Sequence, residues 1–296
     1  MKRSCAAALA ALLLLNLSVA CASAAPRVQI RALDPYTAMC VQFLGGSFVE
    51  SKSYSAWGHE ALKLDTELMK TDEASPPAVI ALNENQYRRF LNDFRREGRR
   101  VRWFFSRSAD QARSEIRWIY SLGEVDAADV VHFYGELSNL PFTVQRIMGI
   151  LTDMMPDKYS YFQRRLGEFD ARLRSTLLSG RKLLSGRAVL DLGGAYSGFL
   201  KALGCKISLP DAELTDEILA SASSKNAKTV KILREKIWKD PRVYVMDHTT
   251  PREIRDALKG RPRTVYIAPP TEKDDPLFFL HRLALLIGTA APDKRQ

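Results

Sequence analysis

Short apolar runs alternate with helix-period segments along most of the chain. Val28 to Ala32, Ala78 to Leu82, Val101 to Phe105 and Val130 to Phe133 read as strands in the first half. Ala188 to Leu192, Val243 to Met246 and Thr264 to Ala268 read as strands in the second. Strands separated by helical patterns predict βα units around parallel sheets. Between the halves, Phe162, Leu166, Phe169, Leu173 and Leu177 recur at steps of three and four, so they line one helix face, and Gly180 supplies a stop. The opposite face carries Arg164, Arg165, Glu168, Asp170, Arg172 and Arg174. A helix over Phe142 to Met155 precedes it and ends at Pro156. The pattern predicts an α/β protein: two Rossmann-like parallel-sheet lobes, 25–155 and 185–296, joined by a long rigid helix over 156–184.

One helix start is marked by its side chains. Thr250 and Glu253 have capping-box spacing, Pro251 takes the first helical position, and Gly260 closes the end. This helix follows the strand Val243 to Met246 directly, so Asp247 and His248 sit at the strand's C-terminal end. Open α/β sheets bind their ligands at that edge.

The first residues change where this fold is expected to work. Lys2 and Arg3 precede an apolar run from about Cys5 to Leu15, and Ala22-Ser23-Ala24 is a small-residue cleavage signal, so residues 1–24 read as a secretion signal. The run is about 11 residues where a bilayer-spanning helix needs about 20, and no later segment is long and apolar enough to span. Cys21 is a candidate for lipid anchoring, with Ser18 where the usual motif has an aliphatic residue. The expected location is periplasmic or otherwise extracytoplasmic.

Charge and cysteine content add less. The net charge is +10, with much of the excess in Arg88, Arg89, Arg95, Arg96, Arg99, Arg100, Arg102 and Arg107. In a cytoplasmic protein such a stretch raises nucleic acid as a partner. In an exported one it is either a solvated helix face or a contact with an anionic envelope surface, and no nucleic-acid partner is expected. Cys40 and Cys205 fall in different lobes and are expected as free buried thiols, although an oxidising compartment permits a bridge.

The four histidines supply the candidate chemistry. His59 follows a loop-like stretch and precedes a helical pattern from about Glu60; His132 ends a strand pattern; His248 lies in a strand-to-helix loop; His281 lies within a C-terminal helix. Three of the four thus fall at loop positions on the ligand-facing edge. Neutral, oriented imidazole binds zinc, and manganese less tightly.

The order of these features resembles the solute receptors of zinc and manganese ABC importers. Phe43-Leu44-Gly45-Gly46 stands where that family ends its first strand-helix unit, and His59 stands where its first ligand arrives on a loop. Pro77 to Asn83 is similar to the family's "ADLVVxNG" strand, and His132 to Asn139 to its "HxWLDPxN" segment, which opens on the second ligand. Pro156-Asp157 through Tyr161 to Phe169 and Leu173 looks like its connecting helix. The resemblance implies a monomeric, non-enzymatic receptor that takes a divalent metal ion, zinc or manganese, as cargo and hands it to an ABC permease.

This sequence departs from the family at half of the ligand set. Leu192 to Phe199 follows the segment of the third ligand, but Gly193 occupies the ligand position, and Ala268 replaces the fourth ligand. Asp247 and His248 are candidate replacements beside His59 and His132, with Glu136 or Glu60 as further candidates. A member that has lost metal binding and serves a structural role is one alternative. Another is an S-adenosylmethionine-dependent methyltransferase, because Ala188 to Leu200 also looks like a strand running into a cofactor-binding glycine loop at Gly193-Gly194. An export signal disfavours that enzyme, and so does the short chain after Pro270.

Overall fold

The structure is a computed structural model that describes residues 27–57, 62–72, 77–82, 86, 88–90, 92, 116–118, 130–223 and 226–290. The secretion signal, the predicted strand Val101 to Phe105 and most of the arginine-rich stretch lie outside these residues. Two parallel sheets carry the fold. The first contains β1 (Val28–Ala32), β2 (Val49–Ser53), β5 (Ala78–Ala81) and β6 (Ile116–Trp118) in the order β2-β1-β5-β6. The second contains β7 (Ala188–Asp191), β8 (Lys206–Ser208), β9 (Val243–Asp247) and β10 (Thr264–Ile267) in the order β10-β9-β7-β8. A small antiparallel pair, β3 (Ser55–Trp57) with β4 (Leu62–Leu64), extends from the first lobe.

Helix α1 (Pro35–Gly45) follows β1 and is buried along almost its whole length. Its start is encoded locally: Pro35 takes the first position, and the Asp34 side chain caps the helix by accepting from the Thr37 amide at 2.8 Å. Next come α2 (Thr66–Asp72), α3 (Val130–Gly135) and α4 (Asn139–Met154). Val130 to Phe133, expected as a strand, therefore belongs to a helix. Its buried Val130, Phe133 and Tyr134 lie at steps of three and four and pack into the core, a period the short apolar run concealed. The helical pattern expected from Glu60 begins instead at Thr66, after β4.

The long connector, α5 (Tyr159–Leu184), touches both lobes. Arg165 donates two hydrogen bonds to the Phe43 carbonyl in the first lobe, and Arg172 grips Asp275 of the second with two, at 3.0 and 3.1 Å. Gly180 does not stop this helix. It lies inside it, where a Cβ would stand 2.8 Å from Leu203 and 3.6 Å from Ala284, so its small size permits close helix packing. The second lobe is completed by α6 (Ser197–Ala202), α7 (Ala212–Ser223), α8 (Ala227–Lys239), α9 (Arg252–Ala257) and α10 (Pro276–Ala290).

The largest apolar cluster spans both lobes. It runs from Ile30 and Leu44 through Phe162 and Phe169 to Val245, Leu283 and Ile287. Cys40 is buried and free, whereas Cys205 is free and only half-buried, with its thiol pushed up to about 11 by burial. Phe169 is fully buried and meets Phe43 edge-on at 5.6 Å. Truncation to Phe169→Ala is expected to cost about 3–5 kcal/mol in urea unfolding, with no change in far-ultraviolet dichroism.

Candidate functional site: the seam between the lobes

The C-terminal edges of both sheets face each other, and side chains from each side fill the space between. From the first lobe come Tyr36 at the start of α1, Trp57 at the end of β3 and Tyr134 in α3. From the second come Tyr196 after β7, His248 after β9, and Pro270 and Glu272 after β10. Tyr36 stacks on Tyr134 with centroids 4.8 Å apart and meets Trp57 and Phe279 edge-on. Its hydroxyl bonds that of Tyr196 at 2.7 Å across the seam. Trp57 donates its indole N–H to the Pro270 carbonyl at 2.8 Å and packs its ring 4.5 Å from His248. The Ser53 amide donates to Glu272 at 2.7 Å.

A chain of hydroxyls fixes these rings. Thr37 donates to the Asp34 carboxylate, so the Tyr134 hydroxyl at 2.8 Å donates to Thr37, and Gln86 completes the Asp34 shell. Burial raises the Asp34 carboxyl above its ordinary range, against the hydrogen bonds that lower it. Burial first, and then the charge and hydrogen bond of Tyr196, hold the Tyr36 hydroxyl well above its usual value, so this pair stays protonated.

Two carboxylates lie under this roof. Asp191 ends β7 and accepts from the Gly194 amide and the Ser197 hydroxyl. Asp247 ends β9, is fully buried, and accepts the Thr249 amide and hydroxyl on Oδ1 at 2.7 and 2.5 Å. Its second oxygen, Oδ2, has no hydrogen-bond partner among the described residues. Burial raises the Asp191 carboxyl, and the negative charge of Asp247 adds to that rise. No described lysine or arginine pairs with either group.

The Asp247 carboxylate rests on Gly193. A Cβ at residue 193 would fall within contact of both its oxygens, so a side chain at 193 and a carboxylate at 247 exclude each other. Nearby, a Cβ at Gly135 would strike the Ala195 carbonyl, and one at Gly198 would strike Glu136. These contacts cover the glycine loop after β7, so the backbone approach that a nucleotide-like cofactor requires is filled.

The residues singled out from sequence fall as follows. Asp247 and His248 are together and buried, at the seam. His59 lies outside the described residues, two positions after Trp57. His132 lies in α3, between the buried Val130 and Phe133, rather than at a strand end, and its side chain lies outside the described atoms. His281 lies part-exposed in α10, away from the seam. Thr250 does not form the expected capping box. Its hydroxyl accepts from the Asp247 amide at 3.0 Å, so it fastens the turn that holds Asp247, and Pro251 caps α9 instead. Among the described residues, no three of His, Cys, Asp and Glu converge closely enough to hold a metal ion. Sequence reasoning missed Tyr36, Trp57, Tyr134 and Tyr196 as seam residues; the Asp34-Pro35 helix start is the one local signal that could have marked that end of α1.

Such an architecture defines a two-lobed α/β fold linked by a long helix. No protein family matches the sequence, and no curated protein does. Solved structures do. The chain is similar to ZnuA at a TM-score of 0.59, with 12% identity over 90% of this chain and all of that one. It is similar to the manganese-bound SBP FpvC from Pseudomonas aeruginosa at 0.57, with 14% identity over 90% of this chain and 98% of that one. A cadmium-bound periplasmic metal-binding protein from Candidatus Liberibacter asiaticus follows at 0.54, with 10% identity over 89% and 99%. At these identities the likeness is one of fold, and it corresponds to two α/β lobes around a rigid helix.

The close fit at residue 193 makes a testable prediction. Gly193→Ala is expected to destabilise the protein by about 1–3 kcal/mol, as overpacking does. Asp247→Ala in the same chain is expected to remove most of that penalty. Urea titration of the four proteins in a double-mutant cycle measures the coupling.

Proposed function

We propose that this protein is an extracytoplasmic receptor that takes up a divalent cation between its lobes and passes it to a membrane permease. The observation that carries the reading is Asp247: a fully buried carboxylate whose Oδ2 has no hydrogen-bond partner among the described residues, beside His248 and within electrostatic reach of Asp191. Two like charges in a low-dielectric seam disfavour each other, and a cation relieves that cost. His248 packs on Trp57, two positions before His59 in the sequence. His59 and His132 from the first lobe, with Asp247 and His248 from the second, form the proposed donor set. Zinc or manganese is the proposed cargo, since imidazole and carboxylate suit both.

Donors drawn from both lobes bind the closed form in preference to the open one, which is the differential contact a receptor needs. The fold likeness to zinc-, manganese- and cadmium-bound proteins supports this reading, as does the export signal. The proposed partner is an ABC permease, and the proposed working state is a monomer, secreted or lipid-anchored through Cys21.

Elemental analysis of protein purified without chelator tests the reading. One zinc or manganese per chain is expected, lost in a His59→Ala/His132→Ala pair. Asp247→Asn is expected to weaken cation binding at least about tenfold by isothermal titration, as loss of one charged donor does. Absence of metal from the wild type, with no rise in Tm on adding Zn or Mn, would sink it.

A further inference from the structure

Helix α8 presents most of its circumference to solvent and fully buries only Ile237. Asn226 caps its start through the Lys228 and Thr229 amides, and Arg261 holds its end by bonding the Ile237 carbonyl at 3.0 Å. The two flanks of this pinned helix differ in charge. On one, Lys236 is paired with Glu217 of α7 and faces a cleft lined by Asp211, Glu213 and Asp240. On the other, Ala227, Lys231, Arg234 and Trp238 recur at steps of four, three and four, so they form one stripe, with Lys239 beside it.

This second flank borders an open groove of about 710 Å³ lined by Val230, Lys231, Arg234, Trp238, Lys239 and Pro262. Among the described residues that line it, Glu235 is the only acid. Trp238, on this stripe, is 44% exposed, a large apolar ring left at the surface of an otherwise charged helix. Arg234 is exposed and donates only its Nε–H, to the Ser221 carbonyl, among the described residues.

We propose that this flank of α8 is a peripheral contact for an anionic phospholipid surface. Ammonium and guanidinium groups meet lipid phosphates, while Trp238 enters the boundary between headgroups and acyl chains, the position that amphipathic aromatic side chains favour. Charge complementarity selects this occupant, because the acidic flank turns toward α7 and the basic, aromatic flank faces outward. The contact holds the receptor beside the membrane independently of whether its seam is loaded, so it does not rest on the metal reading.

Co-sedimentation of the full mature chain with phosphatidylcholine vesicles, with and without phosphatidylglycerol, tests it. Binding only to the phosphatidylglycerol vesicles is expected, weakened by salt. Lys231→Glu/Arg234→Glu/Lys239→Glu is expected to lower the partition coefficient by about 100-fold, as loss of three basic contacts does. Arg234 also holds the Ser221 carbonyl, so the pair Lys231→Glu/Lys239→Glu, both exposed, is the control: it is expected to weaken binding with Tm unchanged. A blue shift of tryptophan emission on binding should vanish in Trp238→Phe. Failure to bind either vesicle, binding that the triple variant retains, or an emission shift that survives Trp238→Phe each overturns the proposal. So does tighter, variant-sensitive binding to polyglutamate than to vesicles, which would make an acidic protein the partner.

Discussion

A carboxylate and a glycine backbone compete for one small volume between the two lobes, and the rest of the seam is arranged around that contact. Asp247 can lie where it does only because residue 193 has no Cβ. Its position is then fixed by Thr249 on one oxygen and by the turn that Thr250 closes. The other oxygen stays buried without a hydrogen bond, which is costly unless a charge or proton meets it. The structural gap left by Gly193 and the unmet need of Asp247 are thus two sides of one arrangement.

The aromatic layer above this contact sets how the lobes respond. Tyr36, Tyr134, Tyr196 and Trp57 exclude water from the seam, and the Tyr36 and Trp57 hydrogen bonds cross it directly. Helix α5 braces both lobes through Arg165 and Arg172, and a continuous apolar core passes alongside it. A brace of this kind permits little hinge motion, so a bound cation acts on a seam that is already nearly assembled. Its effect would be read as added stability more than as a large movement.

The sequence made some of this legible and concealed the rest for identifiable reasons. Central strands β5, β7 and β9 are near-continuous apolar runs because both faces are covered, and they are legible, as are edge strand β10 and β1, in which Val28, Ile30 and Ala32 alternate with Gln29 and Arg31. The strands that were missed are β2, β6 and β8 at sheet edges and the short β3-β4 pair. There, polar residues such as Glu50, Lys52 and Lys206 dilute the pattern. The connector was legible from its stripe, but Gly180 was misread because a glycine that admits a neighbouring helix looks the same as one that ends its own. Asp247 and His248 could be placed at a strand end from local signals alone. The Gly193 contact could not, since residues 54 positions apart meet only through β7-β9 pairing.

Anomalous X-ray diffraction from crystals grown with manganese or zinc tests the central claim most directly. A single peak about 2.0–2.2 Å from Asp247 Oδ2, within the seam beneath Trp57, is the predicted result. A peak elsewhere, or a seam in which Asp247 keeps its present surroundings and no metal scatters, would contradict the account.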